Sequence, residues 1–176
     1  AVESISTIKE DLAVDCRRKS QMSFKESIGP VYFELADLLL QRSAKGSIET
    51  ETRSRDLKEA RNTIEEMKKM ELQDYFQDEC VVALKARQSF LDQEISGTAV
   101  IYPVLLPDRI ELIVTIEGNM SNYPVTVDKP ALTDQVRRLR RKLQTPGSRF
   151  TRYAEKLYQW LIKPVEIDLR RQSIHT

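Results

Sequence analysis

Apolar positions recur every three or four residues along most of this chain and every second residue in one place. That place is Ala99 to Val127, AVIYPVLLPDRIELIVTIEGNMSNYPVTV. Ile110, Leu112, Val114 and Ile116 share one face of a strand, and Glu111, Thr115 and Glu117 share the other. Ile113 breaks the alternation. Ala99 to Leu106 is apolar on both faces except for the tip of Tyr102, which suits a doubly covered central strand. Pro103 opposes a fully paired central position, because it cannot donate to the ladder, so an edge or a bulge is expected there. Pro107-Asp108-Arg109 supplies one turn and Gly118-Asn119 starts another. Tyr123 to Val127 makes a third, shorter strand with Tyr123, Val125 and Val127 inward. Three strands joined by short turns predict an antiparallel meander, with helices covering one face.

The helical period governs the rest. Residues 1–22 carry a stripe of Ile5, Ile8, Leu12 and Cys16. Ser23-x-x-Glu26 has the form of a capping box. Ile28, Tyr32, Leu35 and Leu39, widened by Val31 and Leu38, predict a helix from about Phe24 or Pro30 to Gln41. Residues 43–54 read as a linker. A long helical pattern then runs from Arg55 to about Glu94, first on Leu57, Ala60, Ile64 and Met67. A break near Asp78 to Val82 is expected, where Cys80 to Leu84 could become a buried strand. The two helical stretches predict an antiparallel hairpin. After the meander, Asp128 caps a helix with Pro130 in its first turn and Leu132, Val136, Leu139 and Leu143 on one face. Residues 144–150 form a second linker. Ala154, Leu157, Tyr158, Leu161 and Ile162 open a last helix, which Pro164 should bend. The fold class expected is α+β: mostly helical, with a long hairpin and a three-stranded antiparallel meander flanked by helices. Residues 1–94 form a repeat-like helical region, and 95–176 hold the meander and two helices.

Charge changes this picture modestly. The 176 residues are 31% charged with a net charge of only +1. Residues 1–94 hold 15 Lys/Arg against 19 Asp/Glu, and residues 95–176 hold 13 against 8. The basic excess concentrates in Arg137 to Lys142, RRLRRK. Phosphate contact through that run is the nucleic-acid alternative; a solvated face or an acidic partner is the reading preferred. Acidic Glu65, Glu66, Glu71, Asp74, Asp78 and Glu79 could be that partner within the chain. No stretch of about 18 apolar residues exists to span a membrane. Two cysteines at no metal or redox spacing favour a reducing compartment, and a cytoplasmic location is expected.

Candidate chemistry is sparse. His175 is the lone histidine and has no adjacent nucleophile. Cys80 sits among apolar residues and reads as core. Cys16 lies beside Arg17, Arg18 and Lys19, on what reads as a solvated helix edge. Asp74 and Asp78 are spaced i,i+4 but lack the loop of a calcium site. The five glycines make neither a phosphate loop nor a dinucleotide fingerprint. No catalytic, cofactor-binding or metal residue is assigned.

Three passages in order carry a resemblance: ARNTIEEMKKMELQDYFQDEC (Ala60 to Cys80), VIYPVLLPDRIEL (Val100 to Leu112) and LYQWLIKPV (Leu157 to Val165). Together they resemble the region leading into bacterial CHAT domains, a caspase- and separase-like family usually found behind tetratricopeptide repeats. The resemblance runs from about Phe24 to the end. It implies that the histidine and cysteine of the catalytic subdomain lie beyond Thr176, and that His175, Cys80 and Cys16 match neither. The expectation is a non-catalytic coupling or scaffold segment, with adjacent repeat helices and a downstream peptidase-like domain as partners. A stand-alone interaction module is the alternative. The last residues lack the composition of a tail, as in a chain cut within a longer one. An unpaired strand edge would then favour self-association.

Overall fold

The computed structural model describes residues 28–46, 49–76 and 97–172. The expected helix at 1–22, the capping box at Ser23, the break near Asp78 and the strand alternative at Cys80 all lie outside them.

Helix α1 spans Gly29–Ser43, with Pro30 in its first turn, where a missing N–H costs nothing. Its buried set is Tyr32, Ala36, Leu39 and Leu40. The expected widening by Val31 and Leu38 is corrected: both are more than half exposed, because the small Ala36 brings the partner against the other side. Helix α2 spans Thr50–Phe76 and buries Leu57, Ala60, Ile64 and Met67 as its spacing predicts. It starts inside the stretch expected to be linker. Tertiary pairing draws its first turns in: Arg53 Nε donates to the Ser43 carbonyl at 3.0 Å, and fully buried Asp56 accepts from Arg42 Nε at 2.7 Å and from its Nη2. The two helices pack as a hairpin.

Strands β1 (Ala99–Leu105), β2 (Ile110–Ile116) and β3 (Asn119–Val125) form one antiparallel sheet in that order. β3 starts four residues earlier than the sequence pattern suggests. The turn is Glu117-Gly118, both at positive φ (48° and 77°), and such a two-residue turn pairs Ile116 directly with Asn119.

β1 is an edge, which resolves the Pro103 conflict. The Leu106 N–H donates to the Arg109 carbonyl at 3.0 Å. Hydrogen-bonding direction alternates along an antiparallel strand, so even-numbered β1 residues face β2 and Pro103 turns its nitrogen outward. The same count on the other side turns Pro124 of β3 outward. Each open edge therefore carries a proline where no donor is used, a common defence against strand addition.

Both faces of the sheet are covered, not one. Val104, Leu106 and Ile113 join Ala36, Leu39, Leu40, Leu57, Ala60 and Ile64 of the hairpin in one cluster. Ile113, the exception to the alternation, is a core residue of that layer. Ile110, Leu112, Val114 and Ile116 join Leu132, Val165 and Leu169 in a second cluster on the opposite face. That layer comprises α3 (Lys129–Leu143), α4 (Thr151–Leu161), a 3₁₀ turn at Lys163–Val165 and α5 (Glu166–Arg171). Asp128 caps α3 by accepting from the Ala131 N–H at 2.7 Å. The chain bends after Leu161, where Pro164 enters the 3₁₀ turn.

Candidate functional site

The hairpin is fixed to the sheet by two polar junctions. Glu111, 5% exposed, accepts from Arg109 Nε at 2.9 Å and from Asn122 Nδ2 at 3.3 Å. The same guanidinium reaches Asp37 of α1 through its Nη2. Burial works against the Arg109 charge, but Glu111 and Asp37 outweigh it and hold its pKa above the ordinary value. At the second junction the Tyr102 hydroxyl donates to Glu65 of α2 and accepts from Lys68 Nζ at 2.8 Å. Burial and the Glu65 bond together keep the Tyr102 phenol protonated far above its usual range. Burial alone would raise Glu65, yet the Tyr102 and Lys68 bonds bring its pKa below the ordinary value. No buried side-chain nitrogen or oxygen among the described residues lacks a partner. These are structural junctions: each charge is spent on holding two layers together.

The opposite layer is tied less deeply. Tyr123 of β3 donates to Asp168 of α5, and burial together with that bond pushes its pKa up to about 12. Gln135 of α3 donates to the Tyr153 carbonyl of α4 at 3.1 Å. Lys156 lies 5.2 Å over the Trp160 ring. α4 has no fully buried residue, although its apolar side is well defined by Ala154, Leu157 and Leu161. On α3 the apolar stripe begins under cover at Leu132 and opens outward, with Val136 45% and Leu143 59% exposed.

Around that open stripe lies the basic run. Arg138 pairs with Asp134 of its own helix at 2.6 Å. Arg137, Arg140, Arg141 and Lys142 make no ion pair among the described residues. Beside the run, the bond from Arg152 lowers the Tyr153 pKa against a smaller effect of burial, and the charges of Arg152, Lys142 and Arg138 add to that lowering. Of the acidic residues weighed as an internal partner for this run, Glu65 is engaged with Tyr102 and Lys68. Asp78 and Glu79 lie outside the described residues, as do Cys16, Cys80 and His175.

Among the described residues, two clefts adjoin these elements. One of about 380 Å³ sits at the end of the sheet between Phe33, Leu105, Pro107 and Lys129, whose ammonium lies 5.3 Å over the Phe33 ring. The other, about 260 Å³, is polar and lies between the start of α2 and β3. Among the described residues no group of three His, Cys, Asp or Glu side chains could hold a metal, and no helix is long and apolar enough to cross a membrane. Neither protein-family models, nor curated proteins, nor solved structures yielded a match to the chain.

The sequence pointed at Arg137 to Lys142 as a charge run. It missed that Val136 and Leu143, one on either side of that run, stand open, because periodicity marks an apolar face without saying whether anything covers it. It also missed Arg109, whose isolated position in a turn carries no pattern.

Proposed function

We propose that this chain is a non-catalytic coupling segment of a CHAT-type protein. In that role it joins repeat-type helices to a caspase-like peptidase domain that is not part of this chain. One observation carries the reading: the two outer layers of the sandwich each leave an apolar helix face open. On the hairpin, Val31 and Leu38 of α1 lie seven residues apart and exposed. They sit roughly 130° round the helix from the buried stripe, so they cannot share its cover. On the other layer, Val136 and Leu143 of α3 are also exposed and seven residues apart, as the uncovered continuation of the stripe that Leu132 begins under cover. Between them the sheet is sealed by cover on both faces and by a proline on each edge. A body with a finished centre and two unfinished outer faces suits a connector gripped from both sides.

The resemblance is the ground for the proposed partners, and the two open faces support the idea of two docking surfaces. The stand-alone interaction module draws on the same faces without a peptidase. The parent reading frame beyond Thr176 separates the two: a downstream histidine and cysteine pair favours coupling. The functional test is association. The segment and the polypeptide encoded after Thr176 are purified separately, checked for folding by circular dichroism, and mixed in a sedimentation experiment. Coupling requires a complex. Two folded pieces that sediment independently would remove the tight-coupling proposal.

A further inference from the structure

We infer that the open face of α3 receives an acidic amphipathic helix from a protein partner. The inference deepens the coupling reading only by giving the chemistry of what meets this layer; it does not require that partner to be a peptidase domain.

The geometry comes first. At about 100° per residue, Val136, Leu143 and Arg140 fall within about 60° of one another, with Arg137 roughly 60° further round. Gln135 lies about 100° from Val136 on the other side, and its bond to the Tyr153 carbonyl places α4 there. Val136 and Leu143 stay 45% and 59% exposed, although buried Leu132 lies only about 20–40° from them on the same stripe: the cover ends before it reaches them. Their spacing of seven residues is the repeat of a helix packed along another helix, each side chain filling a gap of the partner. α3 has 15 residues, enough for two such contacts.

Charge selects the partner. Residues 129–172 hold twelve Lys/Arg against four Asp/Glu. Arg137 and Arg140 border the open stripe and have no ion pair among the described residues. A partner helix with apolar residues on its seam and carboxylates beside them would satisfy both the stripe and its border. A nucleic acid would set phosphates against two exposed aliphatic side chains. A bilayer would gain little from two, because binding at a membrane surface scales with the apolar area inserted.

The test uses the full 176-residue chain and two fluorescent 21-residue peptides with leucine on one helical seam. One peptide carries glutamate at the flanking positions and the other lysine. Anisotropy should show the glutamate peptide binding at least about tenfold tighter, a difference of roughly 1.4 kcal/mol. Leu143→Asp should abolish the binding. Arg137→Glu with Arg140→Glu should reverse the preference toward the lysine peptide. All these positions are exposed, so circular dichroism melting of each variant should match the parent. Equal binding of both peptides, or full binding by Leu143→Asp, overturns the inference. So does tighter binding to a DNA duplex or to phosphatidylserine vesicles that the same substitutions abolish. Self-association of the chain that Leu143→Asp abolishes assigns the face to a second copy and overturns it too. Peptide binding together with failed association of the downstream polypeptide would leave this inference standing and remove the coupling reading.

Discussion

Replacing Arg109 by methionine tests whether the hairpin and sheet are one body. The Glu111 carboxylate beneath it is 5% exposed, and the guanidinium side chain is 20% exposed. After the substitution only the Asn122 amide, 3.3 Å away, would face that carboxylate. Stranding one member of a buried pair costs about 3–5 kcal/mol. The remaining amide and the residual exposure bring the expectation to about 2–3 kcal/mol. Asp37 adds little, since it is released toward solvent. Urea unfolding should show the midpoint falling by about 1 M or more with an unchanged slope. The second variant decides the cause. Arg109→Met combined with Glu111→Leu exchanges the pair for apolar contact with the Leu39–Ile113 cluster, and such exchanges are often nearly neutral. The double variant should regain most of the loss. If the single variant loses less than about 0.5 kcal/mol, the pair behaves as a solvated surface bridge and the reasoning fails. It fails equally if the double variant is no better than the single.

Three further outcomes are expected. Tyr123 has its pKa raised from 10.0 to about 12, so its contribution is whole below pH 10 and drains away as pH climbs toward 12. Its partial exposure limits that loss to about 1 kcal/mol, and Tyr123→Phe should flatten the fall in unfolding midpoint between pH 10 and 12 by that amount. Glu117 sits at φ 48°, which glycine and asparagine tolerate better; Glu117→Asn should raise stability by about 0.5 kcal/mol or more in thermal unfolding. Pro103→Val with Pro124→Val should leave the fold intact but promote concentration-dependent self-association in light scattering, because both edges then gain an outward donor.

The α+β class, the meander, the hairpin, the Asp128 cap and the bend at Pro164 were legible because each follows from local pattern. Alternation at Ile110 to Ile116 identified one buried face of β2. It could not reveal that a hairpin from far upstream covers the other, which is why Ile113 looked like an error in the pattern. Pro103 announced an irregular position, but only the register showed its nitrogen turned outward. Periodicity puts Val31 and Leu38 with the buried stripe because it rewards any apolar residue near it; packing on the Ala36 side leaves them outside. The Arg109–Glu111–Asp37 junction joins positions up to 72 residues apart and has no local signature.

The most direct test of the connector reading is amide hydrogen exchange on this chain alone and on the same residues within the longer protein that the proposal requires. The account predicts that α1 and α3 exchange more slowly in the longer protein, while β2, already covered on both faces, keeps its protection. Identical exchange of α1 and α3 in the two settings would mean that nothing docks on either open face, and the connector reading would be wrong.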